Sequence, residues 1–453
     1  MTAALNVDLD LLAANLARVR ATVAPSEPML VVKNDAYGHG LVPVVRRAAA
    51  EGVRWFGAFD VCTGRIVRRE LGEAARIFVW MTATADDALD AVHDDLDIGV
   101  GDAASLYDVA SAARTLARRA RIHLKIDTGL HRNGVRPEEW PAFVTRAAAL
   151  VEEGVVEVVG VWSHIAEASD DDDDDARRIF DAAVTVAEQS GLRPSHRHLA
   201  ASAASFARAE FRYDLVRIGA FAYGVRSAGG VDERDLGVRL ISSLRAEVTS
   251  VDDEGAHIEL GALDGLPSTL GGRVEVLTPA GPRQLESVGE HSRIAGWPSA
   301  SIGDVVTVFG GADNEKSPTD LAEAIGSVGE TTAASANDTA RGIAGINQLM
   351  KRPRPRTVRK TRPSARPRTA RPSRNSSSLG IRQPSRNSSG GTSSRKNNSG
   401  SSSTDGVAAA PITAPSAICT RGRGKADGNK REATPLTTTA SSRKRQRVTI
   451  SKT

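Results

Sequence analysis

One lysine and one Gly-rich turn stand out in the first forty residues. The stretch Met29-Leu-Val-Val-Lys33-Asn-Asp-Ala-Tyr37-Gly38-His39-Gly40 is a short apolar run that delivers Lys33 to a polar turn. A lysine at the end of a buried strand is costly as a cation, so desolvation is expected to favour its neutral, nucleophilic amine. Tyr37 and the glycines behind it can hold an anion nearby. An amine beside an anion cradle is what pyridoxal phosphate (PLP) requires: a group to bond the aldehyde and a clamp for the phosphate.

Other chemistry-bearing residues also follow apolar runs. Lys125 and Arg132 lie in Leu124-Lys125-Ile126-Asp127-Thr128-Gly129-Leu130-His131-Arg132-Asn133-Gly134-Val135, and His164 follows Val158–Trp162. Ser202 lies in His198-Leu-Ala-Ala201-Ser202-Ala203, and Arg217 opens Arg217-Ile218-Gly219-Ala220-Phe221-Ala222-Tyr223-Gly224. Taken alone, each is an ordinary polar residue in a solvated loop. The acidic run Asp170–Asp175 reads as a solvated loop ending at a helix N-terminus, where carboxylates suit the dipole. It is assigned no metal, because six adjacent carboxylates cannot converge on one ion.

Together and in this order, these segments resemble the alanine racemase family. Residues 32–40 are similar to V-K-A-N-A-Y-G-H-G, with Asn34-Asp35 where the family reads Ala-Asn. Residues 125–134 resemble K-x-D-T-G-M-x-R-x-G, residues 164–168 H-x-A-x-A, residues 198–203 H-x-A-N-S-A with Ala201 for Asn, and residues 217–224 R-x-G-x-x-x-Y-G. The resemblance implies PLP as cofactor and Lys33 as the lysine bonded to it and the catalytic base. Tyr37, Ser202, Gly219, Ala220 and Tyr223 would serve the phosphate, His164 would pack on the pyridine ring and Arg217 would bind its nitrogen. Arg132 would meet the substrate carboxylate, and Lys125 occupies the position of a carbamylated lysine. It also implies alanine as substrate and a head-to-tail homodimer.

The resemblance breaks at the second base. The family carries a tyrosine in G-Y-A-D-G; the matching Gly261-Ala262-Leu263-Asp264-Gly265 has Ala262 there. The chain has four tyrosines, Tyr37, Tyr107, Tyr213 and Tyr223, so none lies beyond 223. Two readings follow: a racemase with weak or one-sided activity, in which His291, His257 or a water serves the second face, or a PLP-binding paralogue that does not racemise.

The elements that must position these residues alternate. Strand-like and helix-like segments over residues 1–230 suggest a (β/α)8 barrel, whose chemistry sits at the C-terminal ends of its strands. Short β-prone runs at Leu244–Val251, Ala256–Leu260, Val274–Leu277 and Val305–Phe309 suggest a small all-β domain over 231–342. Residues 343–453 read as a disordered basic tail. Residues 351–453 hold 25 Lys and Arg against 3 Asp and Glu, a net +22 within a chain of +4, and no aromatic residue. Such a tail suits non-specific binding to nucleic acid. The alternative is an extension without selected function, as a shifted reading frame in GC-rich DNA would produce. Two distant cysteines, no signal-peptide pattern and no long apolar run are read as a cytoplasmic protein outside the membrane.

Overall fold

A computed structural model describes residues 3–167, 169–311, 316–327 and 450–451. The first strand, β1 (Ala3–Asp8), leads into a helix over Leu9–Val23. Asp8 caps that helix by accepting from the Asp10 and Leu11 amides at 2.8 and 3.0 Å. Leu12, Leu16, Val19 and Val23 recur at helical spacing and are its buried face.

Eight parallel strands follow: β2 (Glu27–Val31), β3 (Trp55–Asp60), β4 (Arg76–Met81), β5 (Asp97–Val100), β6 (Ala120–Lys125), β7 (Val156–Trp162), β8 (His196–His198) and β9 (Leu215–Ile218). They pair in sequence order from β2 to β8, and β9 returns to β2 with Met29 opposite Arg217. The ring is completed between β8 and β9 by the bonds Asp214 N to Arg197 O and Arg217 N to Ala200 O, both 3.2 Å. Helices between the strands cover the outside. This is the expected (β/α)8 barrel.

An antiparallel sheet follows, built from β10 (Ser242–Val251), β11 (Gly255–Ile258), β12 (Glu275–Thr278), β13 (Gly281–Val288), β14 (Ser292–Ala295) and β15 (Val305–Phe309). It bears out the all-β reading of this region, but β13 and β14 were not foreseen. Of the eight residues of β13 only Leu285 and Val288 are buried, and Pro282, Arg283 and Gln284 hide the alternation. Nor was a strand expected before Leu9: β1 pairs antiparallel with β10, Leu5 opposite Leu244, so the chain's start lies in the second sheet. Ile450–Ser451 (β16) pairs in parallel with Val7 and Asp8. The rest of the expected disordered tail, 343–453, and Cys419 lie outside the described residues. No helix among the described residues is long and apolar enough to cross a membrane.

The acidic run is not a loop. Asp170–Gln189 is one helix, with Asp170–Asp173 in its first turn and the Ser169 hydroxyl accepting from Asp172 N at 3.2 Å. Capping and the dipole outweigh the poor helix propensity of aspartate there. The helix Ala103–Leu116 ends where Ala117 turns left-handed.

Candidate active site

The turn that carries Lys33 is left-handed. Strand β2 stops at Val31, and Asn34, Asp35, Ala36 and Tyr37 follow with φ of 51°, 55°, 56° and 54°. Each such residue costs about 1–2 kcal/mol relative to the right-handed form. Asn and Asp tolerate it best, which suits the two positions where this chain departs from the racemase motif. Several bonds hold the turn. The Asp35 carboxylate accepts from Leu41 N at 2.7 Å, at the start of the helix Leu41–Ala50. The His39 ring meets Ala36 O at 2.9 Å and Ser242 Oγ at 3.1 Å, tying the turn to β10. Burial pulls this imidazole down to about 4, so it is neutral. Lys33 is half-buried rather than enclosed, its Nζ 5.1 Å from the Tyr37 ring centre.

The Tyr223 hydroxyl donates to Val31 O at 2.9 Å, and its buried ring stacks on His39 at 5.1 Å. It braces the end of β2 from behind. Tyr37 points elsewhere: a Cβ on Gly219 would lie 2.1 Å from the Tyr37 hydroxyl, so only glycine lets the two meet. Gly219 N donates to Ser202 Oγ at 3.0 Å, leaving the serine proton for another acceptor. Ala220 opens the single turn Ala220–Tyr223, and a helix start leaves amides without internal acceptors. Tyr37, Ser202, Gly219 and Ala220 therefore converge on one small polar corner. Ala201, the helix N-cap, has no side-chain bond to give, and the Glu167 carboxylate reaches across to accept from Ala204 N at 3.1 Å.

Arg217 lies inside the barrel near the C-terminal end of β9. Its Nη1 donates to His198 Nδ1 at 3.0 Å and His198 O at 3.1 Å. Its Nη2 donates to Ser163 O at 2.7 Å, Leu199 O at 2.8 Å and His164 Nδ1 at 3.2 Å. Among the described residues nothing accepts from its Nε–H. Burial, with Arg132 nearby, pulls this guanidinium down to about 9, still charged at neutral pH. Burial and the same cations keep His164 well below its usual value, hence neutral.

Lys125 ends β6 with its ammonium 4.3 Å from the Trp162 ring centre. Desolvation first, then the charges of Arg217 and Arg132, bring it down to about 7. Sequence reasoning had not singled out Lys125 as a lysine that burial brings toward neutrality. Arg132 sits in the exposed loop after Ile126, close enough for its charge to weigh on Lys125, His164 and Arg217. Sequence reasoning missed His123, which shares its strand face with Lys125 two residues on and so also points inward.

In the second sheet Ala262 occupies an exposed one-turn segment, Ala262–Asp264, whose Leu263 is 72% exposed. Ala262 N donates to Gly289 O at 2.6 Å, placing this turn beside the β13–β14 hairpin and His291. His257 is engaged elsewhere, its Nε2 3.2 Å from Asp252.

The sequence of residues 7–227 matches the family model described as alanine racemase, N-terminal domain. The alanine racemase of Beutenbergia cavernae is 36% identical over 354 residues, covering 70% of this chain and 91% of that protein. That of Salinispora arenicola is 34% identical, covering 72% and 93%. Among solved structures, the alanine racemase of Streptomyces coelicolor superposes with a TM-score of 0.72 at 29% identity, covering 75% of this chain and 96% of that one. The enzyme of Streptomyces lavendulae gives 0.70 at 30%, covering 74% and 95%. With this barrel, this arrangement of polar residues and relatives of this extent, the chain belongs to the alanine racemase family.

Proposed function

We propose that this protein is a PLP-dependent racemase of alanine, with a furnished base on one face of the substrate and none on the other. The observation that carries the reading is Arg217: its four Nη protons are spent on the barrel, and its Nε–H is left for a ring nitrogen. Because a guanidinium keeps its proton at neutral pH, a ring nitrogen facing it stays unprotonated. When bound, the cofactor supplies an electron sink that acidifies the Cα proton of an amino acid.

The residues fit that group. Tyr37, Ser202, Gly219 and Ala220 would hold its phosphate, His164 would lie against its ring, and Lys33 Nζ would take and return the Cα proton from its side. Arg132 orients the substrate carboxylate. At about 7, Lys125 is substantially neutral at physiological pH. A neutral amine can add carbon dioxide and release one proton, which replaces a cation beside Arg132 by a carbamate anion that orients it. Tyr223 acts behind the site through Val31. The work is divided between a barrel drawn from residues 9–230 and a β domain drawn from 231–342 together with the strand Ala3–Asp8, in a cytoplasmic homodimer.

A second reading has one observation behind it. Ala262 cannot serve as a base, and losing one of two positioned bases costs about 10²–10⁴ in rate. A PLP-binding paralogue without racemase activity would look the same here. Purified protein loaded with PLP and given L-alanine decides: D-alanine forms slowly if the first reading holds. With Lys33→Ala, both the turnover and the covalent cofactor absorbance disappear. Covalent cofactor that persists in that variant would place the site elsewhere.

A further inference from the structure

Beneath Arg217 the barrel interior is not apolar. His198, His123 and Asp97 are all fully buried and form a line running from the reactive end of the barrel toward its opposite end. His198 Nε2 lies 3.0 Å from His123 Nδ1, and His123 Nε2 lies 3.6 Å from Asp97 Oδ1. Asp97, at the start of β5, is closed off by Arg76, with Nε to Oδ2 at 3.0 Å, and by Arg121, with Nε to Oδ1 at 3.2 Å. Phe78 and Trp162 wall the two imidazoles, with ring centres at 4.9 Å from His123 and 5.7 Å from His198. Gly160 makes the room: a Cβ there would stand 2.3 Å from His123 Nδ1.

The end groups of this line can each play only one part. A guanidinium only donates and a carboxylate only accepts. Arg217 Nη1 faces His198 Nδ1, which must offer a lone pair, so a neutral His198 carries its proton on Nε2. That proton faces His123 Nδ1, which must accept, so His123 also carries its proton on Nε2. The resulting N–H makes no hydrogen bond but faces the Asp97 carboxylate at 3.6 Å, which favours a proton there over a lone pair. Every proton along the line is fixed by its two ends. Reversing either ring would set donor against donor at Arg217 or lone pair against carboxylate at Asp97.

We infer that Asp97 and His123 are positioning residues for the reaction: through His198 they fix the hydrogen-bond acceptor on which the Arg217 guanidinium is seated, and so the aim of its Nε–H. This rests on the reading of Arg217 as the ring-nitrogen partner. The charge balance supports the line: burial opposes ionisation of Asp97, but His123, Arg76 and Arg121 outweigh it and hold it well below the usual carboxylate range. Burial keeps His123 and His198 below their usual values, hence neutral.

The test uses the full chain without cofactor, labelled with ¹⁵N-histidine. Long-range proton–nitrogen NMR at pH 7, assigned with single His→Gln variants, reads the tautomer of each ring. Both His123 and His198 are expected as neutral Nε2–H forms. A proton on Nδ1 of either ring, or a doubly protonated ring, overturns the proposal whether or not PLP binds. Asp97→Asn, which can donate as well as accept, is expected to make the His198 tautomer mixed. In the PLP-loaded enzyme it should lower kcat for alanine about tenfold, the usual scale for an outer partner of a bound group, with KM unchanged. An Asp97→Asn protein that folds and keeps a pure Nε2–H His198 also overturns it. If that variant does not fold, His123→Gln is read the same way. Failure of the wild type to bind PLP would sink the reading of Arg217 and leave the tautomer result standing.

Discussion

Two short turns that both end on a left-handed glycine differ in nearly every other respect. The turn from Lys33 to Gly38 holds four consecutive left-handed residues, and Tyr37 and His39 beside it are buried. Bonds from Asp35, His39 and Tyr223 stitch it to a helix, to the second sheet and to its own strand. The turn from Gly261 to Gly265 is relaxed, its Ala262 and Leu263 exposed, and its internal side-chain bond is Asp264 to Gly261 N at 3.0 Å. Backbone strain persists only where surrounding contacts over-determine it, and such places are commonly functional. One face of the proposed reaction is therefore built into the first turn, and the second turn offers a backbone with no acid or base at its tip.

The sharpest way to break that contrast is to supply the missing phenol. Ala262→Tyr is expected to raise alanine racemisation by about 10²–10⁴, the usual worth of a positioned acid–base group. An unchanged rate in a protein that folds and binds cofactor would mean that the turn does not reach a site. A smaller effect probes the strained turn through His39. Its folded value near 4 lies below the ordinary 6.5, because burial disfavours the cation. The unfolded chain therefore takes up this proton first as pH falls. Stability should drop between about pH 6.5 and 4, by up to about 1.4 kcal/mol per pH unit from this group, and the loss is complete below the folded value. Urea midpoints measured across that range should fall less steeply in His39→Asn. The smallest expected effect is at the helix start after Ala201, where Glu167 already accepts from Ala204 N but the N-cap itself gives no bond. Ala201→Asn should add at most about 1 kcal/mol of stability by capping Ser202–Ala207, read as a higher urea midpoint.

The barrel was legible because most of its strands carry short apolar runs between amphipathic helices, although β8, His196-Arg-His198, carries none. The site was legible as a set of residues in order. Their roles at the atomic level were less so. Lys33 reads as a lysine at the end of a buried strand, but nothing local shows that β2 stops two residues earlier and that the chain then turns left-handed. Nothing local marks Lys125 as a desolvated amine, because the Trp162 ring against it comes from the next strand. Tyr223 lies in the same short motif as Gly219, yet its hydroxyl is claimed by Val31, nearly two hundred residues earlier. β1 escaped notice because its partner β10 is equally remote. The line from Arg217 to Asp97 draws on four strands and leaves only one trace in sequence, the two-residue spacing of His123 and Lys125.

The central claim is that the reaction has one furnished face. The most direct measurement follows optical rotation and deuterium at Cα together, in heavy water, with the PLP-loaded enzyme given L-alanine and, separately, D-alanine. The account predicts that from one enantiomer deuterium enters faster than rotation decays, because Lys33 removes and returns the proton on its own side. Fast decay of rotation from both enantiomers, in step with deuterium uptake, would contradict it and require a second base as effective as the absent tyrosine.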